Sequence, residues 1–230
     1  MGSRCDSCIV RDRALCAALD PAALQALGRI GVVRRLGRGE TLSWAGDDAP
    51  TCATLQSGVM KLVVVTSDGE QAIVGMLFPG DFIGRPFGGV QQQDIVALTD
   101  VQICAFPRAA FAATLRDHQA MQELLLARTM AELDRARDWL VRMGHARAGE
   151  RVAGFLEDVA RRLGALGCEG PSAVVELPLG RGEMAELLGL TIETVSRQIS
   201  RLKTIGAISL QGTRRLIVED PALLARAAGR

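Results

Sequence analysis

Cys5, Cys8 and Cys16 stand in the pattern C-x2-C-x7-C. Three thiols within twelve residues, the first two a tight pair, suit a metal centre, because one loop can bring several sulfurs to a single point. A zinc site is one reading, and it needs a fourth ligand. The two histidines, His118 and His145, fall in a long helical stretch and are not placed to supply it. Burial as small apolar residues is the plainer alternative, but this polar leader has little core to hold them. Three more cysteines follow. Cys52 and Cys104 sit in β-prone runs, and Cys168, in a glycine-rich loop, reads as unliganded.

A second set of residues suits DNA. The stretch from Thr191 to Arg201 reads as a recognition helix, with Glu193, Ser196 and Arg197 on one face at its N-terminal end. Arg197 can grip guanine O6 and N7 with two donors. Glu193 can accept from a cytosine amino group, and Ser196 can meet a base edge or a thymine methyl. Thr191, Thr194 and Arg201 accompany them. A carboxylate here repels phosphate, so base readout gives it a reason; the bland reading is a weak, exposed i,i+4 pair between Glu193 and Arg197. The helix before it ends at a glycine, and Ala185, Gly189 and Val195 are spaced for two helices crossing closely. Leu187, Leu188, Leu190, Ile199 and Leu202 fill the apolar side. Two β-prone runs about Gln211-Gly212-Thr213 then form a wing, with Arg214 and Arg215 set to touch the phosphate backbone. Between Arg181 and Arg215 six basic residues stand against three acidic ones, although the whole chain carries only +1. Positive charge is therefore concentrated where phosphates would position the module.

The elements that must hold these groups can be read from texture. At 230 residues with 48% hydrophobic content, the chain suits two modest folded domains. Aromatics are sparse and Tyr is absent, which disfavours stacking on single-stranded bases. With no export signal and no apolar run of membrane length, a cytoplasmic protein without a membrane partner is expected. Residues 1–20 carry the cysteine cluster. Asp20-Pro21 opens a short helix expected to stop at Gly28. From about Val32 to Pro107, short β-prone runs alternate with glycine turns, which predicts a sandwich or barrel over 21–110. Runs 59–66 and 71–77 look like one hairpin. Residues 111–145 turn helical, with Leu126, Leu133 and Leu140 spaced by seven and Thr129, Ala136 and Met143 as a second seam, the pattern of a dimer coiled coil. Ala136 leaves that seam thin, flanked by Arg137 and Asp138. An amphipathic helix over 148–166 opens the DNA-binding region 146–230. No nucleophile–base pair, phosphate loop or zinc-protease motif is present, so an enzyme is not expected.

In this order the chain resembles the Crp/Fnr superfamily of bacterial transcription regulators over nearly its whole length, and within it the oxygen-sensing Fnr group, FnrL-like branch. The resemblance rests on Glu193-x2-Ser196-Arg197, on the N-terminal cysteines, on Cys104 within Ile103-Cys104-Ala105-Phe106, and on Gly80-Asp81-Phe82-Ile83-Gly84-Arg85-Pro86. It implies an α+β fold: a cyclic-nucleotide-binding-like β-barrel of jelly-roll type, a long dimerisation helix and a winged helix-turn-helix. It also implies that Cys5, Cys8, Cys16 and Cys104 ligate a [4Fe-4S] cluster, with Leu15 shielding one side; Cys52 is the competing fourth ligand, but its position does not match the family's and it reads as a core residue. The Cys8–Cys16 spacing is that of the FnrL-like branch. The Glu-Ser-Arg set implies recognition of a TTGAT-N4-ATCAA-like palindrome on double-stranded DNA by a homodimer acting on RNA polymerase, with the Ser67–Glu70 turn as a contact. The Arg-Ser pair by which cyclic-nucleotide members hold phosphate is missing after Gly84, where Arg85 is the one basic residue. The competing reading is a regulator whose barrel senses a small molecule or a haem-bound gas.

Overall fold

Alternation of apolar and polar residues builds the first half of the chain into two four-stranded antiparallel sheets. The strands are β1 (Val32–Leu36), β2 (Thr41–Ser43), β3 (Thr51–Ser57), β4 (Met60–Val65), β5 (Gln71–Leu77), β6 (Phe82–Ile83), β7 (Asp94–Ala97) and β8 (Val101–Pro107). One sheet runs β1-β8-β3-β6 and the other β2-β7-β4-β5. The computed structural model describes residues 5, 7–164 and 174–230, so Cys168 lies outside the described residues. Inward positions of both sheets share one core: Leu36, Ala53, Leu55, Ile83, Val101, Ile103 and Ala105 from the first, Met60, Ile95 and Ala97 from the second. Each large aliphatic side chain so buried contributes roughly 1.5–3 kcal/mol. The expected hairpin is β4–β5, closed by Gly69 N–H donating to Thr66 O and Thr66 N–H to Glu70 O.

The outer face of the β1-β8-β3-β6 sheet positions the cysteines. Period two puts Gln102, Cys104 and Phe106 on that face of β8 and Cys52, Thr54 and Gln56 on that face of β3, while their neighbours fill the core. Helices cover it: α1 (Pro21–Ile30), α2 (Arg108–Asp117) and the start of α3 (Gln119–His145). Leu15, Leu19, Leu27, Cys52, Phe106, Phe111, Leu115 and Met121 form this second core. Phe111 stacks on Phe82 at 5.1 Å and tilts against Phe106 at 5.6 Å. Asp20 caps α1, accepting from Ala22 N–H (2.8 Å) and Ala23 N–H (2.9 Å).

Several boundaries differ from expectation. Helix α1 passes through Gly28 and stops at Gly31, because Gly28 keeps a right-handed backbone and Gly31 N–H still closes on Leu27 O. The helical stretch after β8 breaks at His118, whose extended backbone separates α2 from α3 and whose Nδ1 bonds Thr114 O. Compact packing divides the chain inside α3, at Asp134/Arg135.

From Arg135 on, α4 (Ala148–Arg162) supplies a buried wall of Val152, Ala153, Phe155, Leu156, Val159 and Ala160; as a described element it ends before the expected 166. Then follow β9 (Val174–Glu176), α5 (Arg181–Leu188), α6 (Ile192–Thr204), the wing strands β10 (Ile208–Gln211) and β11 (Arg215–Val218), and α7 (Pro221–Ala227). The wing sheet is ordered β10-β11-β9. Arg151 of α4 donates to three carbonyls that helix ends would leave bare: Met143 (2.7 Å) and Ala146 (3.0 Å) at the end of α3, and Leu188 (3.3 Å) at the end of α5. Beside it, Arg142 crosses α4 at Gly154 to reach Asp158 at 3.1 Å, and a side chain at Gly154 would collide with the guanidinium.

Candidate metal centre and nucleic-acid interface

Cys5, Cys8, Cys16 and Cys104 line one cavity of about 280 Å³. The first three arrive on a loop wound into two short 3-10 turns, Arg11–Arg13 and Leu15–Ala18. Val10, Ala14 and Leu15, all buried, anchor that loop. The fourth cysteine arrives on β8, opposite Val33 of β1 and Thr54 of β3. Leu24, Leu27, Val33 and Phe106 supply apolar walls, and among the described residues no carboxylate or imidazole lines the cavity. Cys16 shows how close the thiols stand. Burial, then the neighbouring thiols of Cys104, Cys5 and Cys8, push it up to about 12. It is a neutral thiol at neutral pH, and a metal must displace its proton. Among the described residues, no three Cys, His, Asp or Glu side chains are drawn together as tightly as around a single ion. A set of soft sulfur donors spread around a cavity fits an iron–sulfur cluster better than a lone zinc ion.

Cys52 is fully buried in the second core, is absent from the cavity lining, and burial pushes its thiol up to about 11. It is a core residue. Three contributors carried no signal in the cysteine pattern. Gly31 lines the cavity, and a side chain there would come within 2.7 Å of the Phe106 ring and 3.2 Å of Cys104 Sγ. Gln56 donates to Cys8 Sγ at 3.6 Å, and Gln102 donates to Gln56 Oε1 at 3.0 Å. Gln102 could have been found by stepping two residues back from Cys104. Gln56 stands two residues on from Thr54 and shares its face.

The DNA-reading face is built locally. Glu183 accepts from Gly180 N–H (2.9 Å) to start α5. Gly189 ends it in the left-handed region at φ +59, where a side chain is disfavoured, and Leu190 N–H bonds back to Ala185 O. Thr191 caps α6 by accepting from Thr194 N–H. Met184, Ala185, Leu187, Leu188, Val195, Ile199 and Leu202 are buried between the helices and wing, while Leu190 is half-buried. Glu193, Ser196, Arg197 and Arg201 are exposed. Its own backbone N–H and the Thr191 hydroxyl hold Glu193 below the usual carboxylate range. Arg197 reaches Thr194 Oγ1 at 3.5 Å. On the wing the two arginines part. Arg215 is exposed, whereas Arg214 is half-buried and turned to Pro178 O at 3.4 Å, where it braces the strand–helix link.

Along α3, Leu126, Leu133 and Leu140 are exposed at 62%, 49% and 70%. Thr129 and Ala136 are exposed with them. Met143 departs from that seam: it is half-buried and its methyl lies against Gly189. Met130 (59%) and Val141 (62%) extend the apolar stripe instead.

Residues 33–118 match the family description "Cyclic nucleotide-binding domain" and residues 150–227 match "Crp-like helix-turn-helix domain". The chain is 41% identical to the transcriptional activator protein FnrL of Cereibacter sphaeroides, over 98% of this chain and 92% of that protein. It is 35% identical to the nitrogen fixation regulation protein FixK of Bradyrhizobium diazoefficiens, over 91% and 87%. The solved structure of FixK2 from Bradyrhizobium japonicum is similar with a TM-score of 0.76 at 27% identity, covering 86% of this chain and 97% of that one. The chain belongs to the Crp/Fnr family. Within it, the chain is a DNA-binding transcription regulator of Fnr/FixK type, and its relatives are regulators, not enzymes. Among the described residues, no helix is long and apolar enough to cross a membrane.

Proposed function

We propose that this regulator responds to oxygen through a [4Fe-4S] cluster held by Cys5, Cys8, Cys16 and Cys104, and that under low oxygen it binds a TTGAT-N4-ATCAA-like palindrome as a homodimer. The observation that carries this is the single sulfur-lined cavity shared by three loop cysteines and one strand cysteine. When bound, such a cluster supplies bonds that tie the loop to β8 and a redox centre that oxygen can destroy. The chain itself links the loop to the dimer helix. Arg13 packs against Gly80 so tightly that a side chain at Gly80 would sit 3.0 Å from its backbone oxygen. Gly80 O accepts from Arg128 Nη1 of α3 at 3.1 Å. Loop, barrel and helix therefore meet at one point. Ordering the loop fixes Arg128, and with it the start of the stripe Leu126, Leu133, Leu140 that pairs with a second copy. The reading faces then meet two half-sites, and the dimer acts on RNA polymerase, with the Ser67–Glu70 turn as a contact.

The test is iron and acid-labile sulfide per chain in anaerobically purified protein, with a spectrum and palindrome binding before and after air. About four of each per chain, bleached by air together with binding, is the expected result. Protein without iron, or with a spectrum indifferent to air, overturns the reading.

A further inference from the structure

Three polar side chains on the outer face of the first sheet form a row that ends on a cysteine. Arg35 of β1 faces Gln102 of β8 in register, and Arg35 Nε donates to Gln102 Oε1 at 3.4 Å. Gln102 Nε2 donates to Gln56 Oε1 at 3.0 Å, and Gln56 Nε2 donates to Cys8 Sγ at 3.6 Å. A register shift between Leu55 and Ser57 makes Gln56 the extra residue of a β-bulge, since Ser57 is the one paired with Gln102. Gln56, two residues on from Thr54, lines the cavity beside that bulge. The last two bonds are partly buried, so water competes with them only weakly.

The row has a direction, and Arg35 sets it. A guanidinium can only donate, so Gln102 must turn its carbonyl to Arg35 and its amide N–H to Gln56. Gln56 must then turn its carbonyl to Gln102 and its amide N–H to the sulfur. Every dipole points the same way, and each bond polarises the next. We propose that Arg35, Gln102 and Gln56 are positioning residues for Cys8: a directional relay that aims positive potential at its sulfur, holds the loop on the barrel, and sets how readily a thiolate-bound cluster gives up electrons to dioxygen. This rests on the cluster reading above. Hydrogen bonds to ligand sulfur stabilise its negative charge and raise the cluster's reduction potential, so the oxidation by air is slowed.

The test uses full-length chain loaded anaerobically and compares wild type with Gln56→Leu, Gln102→Leu, Arg35→Met and Arg35→Glu. The readouts are reduction potential, the rate of bleaching in air, and amide hydrogen exchange of residues 7–13 in metal-free chain. Gln56→Leu is expected to lower the potential, speed bleaching by about ten-fold and speed loop exchange. Gln102→Leu acts in the same direction but less. A glutamate at 35 can only accept, so it flips both amides and turns the Gln56 carbonyl to the sulfur; Arg35→Glu therefore bleaches faster than Arg35→Met. The added negative charge alone would act the same way, and the double variant Arg35→Glu, Gln102→Leu separates the two: the relay predicts that Arg35→Glu adds little once Gln102 is gone. Wild type that carries no iron sinks the cluster reading. Wild type with its cluster, alongside a Gln56→Leu variant of unchanged potential, bleaching and exchange, overturns the relay alone.

Discussion

The cysteine cavity draws on residues 5 to 106, brought together by two 3-10 turns, a helix and three strands. The DNA-reading face lies within residues 181–215, and its turn and the Thr191 cap come from the same run, while α4 packs beneath α6 and β9 pairs with β11. One site is a product of long-range pairing and the other of local geometry. The first is consequently exposed to any fault in the second core beneath it, while the second depends on caps and side-chain direction. The proposed cluster site, assembled from distant segments, would couple its loop to the barrel through the first arrangement. A reader that must present one face unchanged gains from the other.

Substitutions can break this contrast. The largest effect is expected from Phe111→Ala, which empties the space between Phe82 and Phe106. It should cost about 3–5 kcal/mol in denaturant unfolding and reduce iron retention. If the cavity loads normally in that variant, the dependence on the second core is wrong. Arg197→Ala should weaken specific DNA binding by about 1–3 kcal/mol and relax preference at one base pair, with unfolding unchanged; a fluorescence binding series against single-base operator variants reads both. Gly189→Ala forces a side chain into the left-handed region at φ +59 and should cost about 1–2 kcal/mol in thermal unfolding. The smallest effect separates the wing arginines. Arg215→Ala should lower the slope of log K against log salt by about one, while Arg214→Ala should leave that slope unchanged and reduce stability, because Arg214 braces Pro178 O.

Local chemistry was the more legible half. The recognition helix, its glycine turn and the wing follow from caps and periodicity within a few residues of each other. Cys104 was reached by resemblance, and strand alternation explains why it faces out: Ile103 and Ala105 point into the core. Gly28 was misread as a helix stop because α1 is held by its packing as well as its propensity. Met143 kept the heptad spacing yet turned to Gly189, since spacing does not choose between two available partners. Gln56 follows from the same alternation, two residues on from Thr54, but the bulge beside it was invisible, because a bulge is a property of two paired strands and neither strand alone announces it.

Arg151 joins the end of α3 to the end of α5. By holding the carbonyls of Met143, Ala146 and Leu188 with one guanidinium, it makes the last turn of α3 and the helix-turn-helix a single rigid piece. In the proposed dimer, two such pieces would stand like the jaws of a caliper locked at one opening. The spacing of the half-sites such a dimer reads, about one turn of DNA or 34–36 Å, would then be set by a residue outside both the recognition helix and the cysteine cavity.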